Sequence, residues 1–410
     1  MRYTSSVDSR LDRFRTYFER LDPESRPSTL LSEDRYAEPP GRATGEQLAS
    51  RLQLAPWSNH LVTGPIGTGK TTQLHRAAKT LNAGGDTKAV YIDVSQHHDL
   101  DRNLAGVMVV LAGLALAKAV GKNPDDDVRA AHESFRRWAH GHREFIPYDP
   151  RDDEDDYGPD EEPGHWEHHP GVIAPPLPPL TLDSKERVNA LKTLKKALPD
   201  GVSHFVVLFD SLDRLDDVEA FRRAVTDDIR ALKQAGIGVV VVSPMRLLYG
   251  SNRPIIDIFD QVHIVPALDV TQPKERDFLL RVLAKRTDES VVGPEVREQL
   301  IDVSGGLLRD LLQLTRSSVE EAFVVGADAV APDHVARAVD EFGRTMIFGL
   351  RMNEIDTLDG LRRFRAFVPT SDDDIALLAS RRVIEYHGIV KRYAVHPAIE
   401  PLLASLRRIK

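Results

Sequence analysis

Gly64-Pro65-Ile66-Gly67-Thr68-Gly69-Lys70-Thr71-Thr72 follows the apolar run Leu61-Val62-Thr63 and leads into a helical pattern, Gln73-Leu74-His75-Arg76-Ala77-Ala78-Lys79. The spacing is that of a phosphate-binding loop, G-x-x-x-x-G-K-[ST]. Glycines let the backbone fold back so that successive N–H groups point inward. Lys70 then reaches the β- and γ-phosphate oxygens, and the Thr71 hydroxyl is a ligand for Mg²⁺. A helix is expected to begin near Lys70 and to add its positive N-terminal dipole to the cradle.

With 410 residues and 41% hydrophobic content, the chain has length for about two or three domains. It holds no cysteine, which excludes a disulfide framework and thiolate chemistry. The opening Met1-Arg2-Tyr3-Thr4-Ser5-Ser6 is polar, unlike a signal sequence. The longest apolar stretch, Ala105 to Ala117, falls short of the roughly 20 helical residues that span a bilayer. A cytoplasmic protein without a membrane anchor is expected. The formal net charge of −9 argues against a uniformly basic nucleic-acid binder and leaves room for a local basic patch.

Lys88 to Val94, His204 to Asp210, Ile237 to Ser243 and Gln261 to Pro266 carry the near-continuous apolar character of buried strands, and helical patterns separate them. That alternation predicts an α/β fold with a parallel sheet covered on both faces. Over 123–183 the pattern breaks at the carboxylate block Asp152 to Asp156 and the proline-rich Ala174 to Pro179, which reads as an exposed insertion. His165, His168 and His169 cluster there around Trp166, and a solvated stretch explains them better than a metal site. Beyond Thr271 the strand signal stops. Pro273–Arg286, Pro294–Val303, Leu307–Ala322 and Pro332–Phe342 read as a helical bundle. A short helix at Asp372–Ala379 followed by strand-like Val383–Tyr386 and Arg392–Val395 suggests a winged helix. The expected organisation is an N-terminal helical segment over 1–34, a phosphate-loop core over 35–270, a helical lid over 271–349 and a winged-helix-like domain over 350–410.

Asp210 ends an apolar strand downstream of the loop, where a carboxylate holds the Mg²⁺ that bridges nucleotide phosphates. Hydrolysis also needs a group that orients water. Ser211 cannot be that base, and Asp213 is the nearest candidate, with a helix cap or a pair with Arg214 as the plainer alternative. Ser243, at the end of the Val-rich strand, is placed to touch the γ-phosphate or the attacking water. Arg309, after Ser304-Gly305-Gly306, begins a bundle helix from which it can reach back to the phosphates. Arg253 is a candidate finger presented to a neighbouring subunit. Residues 352–410 hold ten Lys/Arg against eight Asp/Glu. Arg381, Arg382, Lys391 and Arg392 form the local basic cluster, readable either as a phosphate-contacting surface for DNA or as the surface of a protein-packing domain.

Taken together these residues resemble the AAA+ and STAND P-loop ATPases, in particular the branch similar to origin-recognition and initiator-type ATPases. Gly41-Arg42 with Glu46 and Leu48 looks like the segment that packs near the adenine. Gly64 to Thr71 matches Walker A, Val206 to Asp210 matches Walker B with Asp213 as second acid, Ser243 corresponds to sensor 1, and Ser304 to Asp310 is similar to sensor 2. The resemblance implies ATP with Mg²⁺, a nucleotide-binding core joined to a helical lid and a winged helix, and a nucleotide-dependent switch. Its readout would be homo-oligomer assembly or engagement of a separately encoded effector protein in a defence or signalling system. A DNA-binding or DNA-loading factor is the alternative. One departure stands out: the usual Asp-Glu pair is Asp210-Ser211, which points to slow hydrolysis.

Overall fold

The computed structural model describes residues 4–24, 31, 35–41, 43–122, 125–147, 164–169, 173, 184–215, 217–249, 256–388 and 390–406. Its strands are β1 (Asn59–Thr63), β2 (Thr87–Asp93), β3 (His142–Pro147), β4 (Gly164–His169), β5 (His204–Asp210), β6 (Gly238–Val242), β7 (Gln261–Ile264), β8 (Val383–His387) and β9 (Lys391–Val395). Five of them form a parallel sheet in the order β2-β5-β6-β1-β7. β1 and β6 are buried along their whole length, as runs such as Val239–Val242 require when both sheet faces are covered. The chain leaves β1 towards β2 on one side, while β7 adds on the other. The phosphate loop therefore sits at the switch point outside the carboxyl ends of the strands.

Helices α1 (Thr4–Arg20), α2 (Thr44–Leu54), α3 (Lys70–Ala83), α4 (Val107–Val120), α5 (Asp126–His140), α6 (Ser184–Lys196) and α7 (Val218–Gln234) precede the lid. α2 and α3 cover one face of the sheet through Leu48, Leu52, Leu74 and Leu81, packed on Val62, Val206, Leu208 and Val240. α4 to α7 cover the other. α4 is apolar on nearly every side. Its first turn is satisfied by buried Asp228 of α7, which accepts from the Gly106 and Met108 N–H groups at 3.1 and 3.0 Å.

The expected exposed insertion over 123–183 is corrected in its first part. α5 inserts Val128, Ala131, Phe135 and Trp138 into the main core, and Phe135 meets Trp138 edge-on at 4.9 Å. These residues fall on one helical stripe, but the charged face opposite masks it in an averaged reading. β3 and β4 then pair antiparallel; the acidic block, the proline-rich run and the side chains of His165, His168 and His169 lie outside the described residues.

The lid consists of α8 (Pro273–Ala284), α9 (Pro294–Ser304), α10 (Leu308–Val324) and α11 (Pro332–Ile347). α1 belongs to it: Phe14 and Tyr17 enter the lid core, and the Arg10 guanidinium donates to the Ala327 and Phe323 carbonyls at 2.6 and 3.2 Å, capping the end of α10. The C-terminal unit comprises α12 (Met352–Phe364), α13 (Asp372–Ala379), the β8–β9 hairpin and α14 (Glu400–Leu406). Its core takes in Met245 from the loop after β6, and Tyr386 bridges to Ala267, so it packs on the sheet domain as well as the lid. No helix among the described residues is long and apolar enough to cross a membrane.

At the opposite end of β1, the His60 and His263 rings lie nitrogen to nitrogen at 3.1 Å, and His60 Nε2 is 2.8 Å from Ser58 Oγ. Burial holds both imidazoles well below the usual histidine range, at about 4. A ring with a lowered folded pKa takes up its proton first in the unfolded chain. Stability should therefore fall as pH drops from about 6.5 towards 4, by about 2 kcal/mol per ring. His263→Gln is expected to flatten that part of the profile relative to wild type, as measured by urea unfolding at a series of pH values.

Candidate nucleotide-binding site

β1 delivers the chain into a loop whose glycines 64, 67 and 69 all take positive φ, at 148°, 88° and 92°. Gly64 is also short of space, since a Cβ there would lie 2.1 Å from the Val265 carbonyl oxygen. α3 starts at Lys70 with no side chain capping its first turn, which leaves N–H groups aimed at an anion. Thr68 Oγ1 ties the loop by donating to the Pro65 carbonyl at 3.0 Å. The buried Lys70 ammonium donates to the Gly64 and Pro65 carbonyls, both at 2.9 Å, and pairs with Asp213 Oδ2 at 2.9 Å. Asp213 is thus the counter-ion of the loop lysine, neither a helix cap nor a partner of Arg214.

Asp210 ends β5 almost fully buried, and burial pushes its carboxyl above the usual range. The Ser211 N–H at 2.8 Å and the Tyr91 hydroxyl at 2.9 Å donate to it, and the Thr71 hydroxyl stands beside it. Two adjacent oxygen ligands, the Thr71 hydroxyl and the Asp210 carboxylate, fit a hard cation such as Mg²⁺. A bound dication would favour the charged carboxylate that burial disfavours. Tyr91 is itself held from β2 by the His75 ring of α3, with centroids 4.0 Å apart. Neither aromatic group was singled out from the sequence; their signal is position, Tyr91 lying near the end of the strand beside Walker B.

Ser243 is fully buried at the end of β6. Its N–H donates to the Val62 carbonyl at 2.9 Å, while its hydroxyl and that of neighbouring Thr63 have no protein partner. These orphaned groups stand beside the loop, where a phosphate oxygen would satisfy them. Arg309 sits in the first turn of α10, and its N–H donates to the Gly67 carbonyl at 3.0 Å. The structure therefore brings Gly64, Pro65, Ile66, Gly67, Thr68, Gly69, Lys70, Thr71, Thr72, Asp210, Asp213, Ser243 and Arg309 to one place. Arg42 and Arg253 lie outside the described residues. A cavity of about 280 Å³ opens beside Gly64–Ile66, bounded by Asp213–Leu215, Pro244–Arg246 and, from the C-terminal unit, Ala376, Ala379, Ser380 and Arg382.

The basic cluster of the C-terminal unit is spent on internal contacts. Arg381 pairs with Asp310 of α10. Arg382 donates to the Met346 and Phe348 carbonyls at 2.7 and 2.8 Å. Lys391 lies 2.8 Å from Glu385, and Arg392 pairs with Asp269 at 2.7 Å while stacking over the Tyr386 ring. These bonds favour a protein-packing role for the four residues over contact with DNA phosphates.

No family model and no curated protein matches the chain. Among solved structures it is similar to the Aeropyrum pernix ORC1 protein in complex with DNA, at 16% identity over 94% of this chain and 98% of that one, with a TM-score of 0.44. It is also similar to Cdc6p from Pyrobaculum aerophilum, at 14% identity over 91% and 95% with a TM-score of 0.40. A third is the Thermotoga maritima RuvB Holliday junction branch migration motor, at 14% over 88% and 94% with a TM-score of 0.37. The reading of the site rests on the residues of this chain.

Removing the counter-ion leaves the buried Lys70 charge uncompensated until a phosphate arrives. Asp213→Asn is therefore expected to bind a fluorescent ATP analogue about fivefold more tightly than wild type, whereas Lys70→Ala loses measurable binding. Fluorescence anisotropy titration checks both.

Proposed function

We propose that this protein is a Mg-ATP-dependent switch of the AAA+/STAND kind, in which the nucleotide controls how the C-terminal unit is held and hence whether a second copy or an effector protein can dock. The observation that carries this reading is a pair of consecutive residues. Arg309 lies against the phosphate loop, and Asp310, the next residue of α10, holds the C-terminal unit through Arg381, with His396 Nε2 3.3 Å from Asp310 Oδ2 beside that pair. Asp310 and His396 are fully buried.

A buried carboxylate that loses its partners costs about 3–5 kcal/mol, so the first turn of α10 cannot move without disturbing the C-terminal unit. A γ-phosphate that draws Arg309 towards the loop acts on that turn directly. Lys70 must at the same time leave Asp213. Binding energy is thereby coupled to the clamp, as a population shift requires: ATP must hold one arrangement more tightly than the other. The other seams, Tyr249 with Glu385 and the Tyr386 hydroxyl on the Gly305 carbonyl at 2.9 Å, set how much of the unit moves. Asp210-Ser211 in place of an Asp-Glu pair makes turnover slow, which suits a timer better than a motor.

The expected behaviour is a change of assembly state or hydrodynamic radius between Mg-ADP and a non-hydrolysable ATP analogue, read by size-exclusion chromatography with light scattering. Lys70→Ala should not respond, and Arg381→Ala should show the triphosphate behaviour without nucleotide. A wild-type protein identical in all nucleotide conditions would falsify the switch.

A further inference from the structure

We propose that the cavity between the phosphate loop and the C-terminal unit is a pocket for a phosphate dianion, with Arg246 as its principal ligand. This rests on the nucleotide-switch reading and deepens it by naming what the C-terminal unit responds to.

The cavity begins where the loop lysine ends. Lys70 Nζ lies 2.9 Å from the Gly64 carbonyl, the Pro65 carbonyl and Asp213 Oδ2, and all three of those residues line the cavity. Its volume of about 280 Å³ is many times the roughly 30 Å³ share of one liquid water, so a tetrahedral anion fits and a folded partner does not. The lining carries three arginines, Arg214, Arg246 and Arg382, against one carboxylate, Asp213. While Asp213 pairs with Lys70 the arginines are unopposed. When a nucleotide draws Lys70 away, three positive charges still face one negative charge, and a cleft lined by one sign of charge concentrates the opposite ion.

Arg246 is the residue that calls for a ligand. It stands in the turn Met245–Leu248 that follows β6, held there by the buried Met245 and Leu247 side chains. Its Nε is shut off from solvent without a hydrogen-bond partner, and no ion pair reaches its guanidinium among the described residues. A buried N–H on a permanently charged group demands an acceptor, and the adjoining cavity is where one can enter. The guanidinium fork matches the edge of a phosphate.

The far wall shows what occupancy would do. Ala376 and Ala379 of α13 form it, with Ser380 and Arg382 just after that helix. Arg382 also holds the Met346 and Phe348 carbonyls, while Arg381, between Ser380 and Arg382, has a left-handed backbone, φ 64°, and pairs with Asp310. A dianion held between Arg246 and this wall therefore acts on the segment that carries the Asp310 clamp. Its source is either the terminal phosphate of a bound triphosphate or the free phosphate that hydrolysis leaves beside the loop.

The test is isothermal titration calorimetry on wild type, Arg246→Met and Arg246→Lys. The ligands are Mg-ADP, a non-hydrolysable Mg-ATP analogue, and inorganic phosphate added to the Mg-ADP complex. Methionine keeps the packing of the aliphatic stem, so all three proteins should fold and bind Mg-ADP within about twofold of one another. With the terminal phosphate in the pocket, Arg246→Met loses about tenfold or more of the preference for the analogue over ADP, and Arg246→Lys recovers part of it. With free phosphate in the pocket, wild type binds inorganic phosphate on top of Mg-ADP, and Arg246→Met binds it about tenfold more weakly or not at all. Equal analogue preference together with equal phosphate binding in wild type and Arg246→Met would overturn the pocket. So would a loss of Mg-ADP affinity as large as the loss for the analogue, which marks Arg246 as structural. A wild-type protein that binds no Mg-ADP overturns the nucleotide reading instead, and phosphate titrated into the protein alone then decides the pocket by the same comparison.

Discussion

The contact on which the rest of this structure depends is the one between the first turn of α10 and residue 67 of the phosphate loop. A Cβ at Gly67 would lie 2.5 Å from the Arg309 Cβ, so only glycine lets the lid helix come close enough for the Arg309 N–H to bond the Gly67 carbonyl. The approach is repeated behind it, where a Cβ at Gly306 would stand 1.7 Å from the Leu268 carbonyl oxygen. The sheet domain, the lid and, through Tyr386 on the Gly305 carbonyl, the C-terminal unit therefore meet at one short segment, residues 305–310. Rigid, close-packed elements transmit displacement at such a seam instead of absorbing it.

Charge burial completes the arrangement. Asp310 and Glu385 have side chains with no exposed surface, and a carboxylate taken out of water must find partners. Arg381 and His396 stand at the first; Tyr249, His387 and Lys391 stand at the second, whose pKa falls to about 2 because those bonds outweigh burial. Arg381, Lys391 and Arg392 thus answer acids within the same chain, and Arg382 answers backbone carbonyls. Counting basic residues over 352–410 records their presence and nothing of those partners, and so leaves a nucleic-acid surface open that the side-chain contacts disfavour. The same holds for Asp213, whose partner is distant in sequence from either of the alternatives weighed for it.

Much of the fold was legible. The strands from β1 to β7 of the sheet and the lid helices α8 to α11 fall within a few residues of their expected spans, because long apolar runs and Pro-started helices carry their own signal. α5 was hidden by the charged face of a helix that shows the core only a stripe, and the docking of α1 into the lid leaves no local mark at all. In the candidate site, the loop Gly64 to Thr72 between a strand and a helix and Asp210 at the end of a strand were readable as local structure, since turn glycines and apolar runs carry their own signal. Tyr91 and Asp310 were not, because each acts through a partner more than 70 residues away, Asp210 for the first and Arg381 for the second.

The amino-acid sequence by itself determined that the chain has a loop of phosphate-binding spacing between a buried strand and a helix, an acid at the end of a strand further downstream, and a sheet followed by helices. Those features follow from backbone freedom, periodicity and local spacing. Only the tertiary structure decided that Lys70 rests on Asp213, that Tyr91 bonds Asp210 from the next strand, and that the C-terminal unit faces inward onto α10. The physical reason is that the free energy of a buried charge or a close backbone approach depends on what stands opposite it, and register and packing, not the neighbouring residues in the chain, choose that partner.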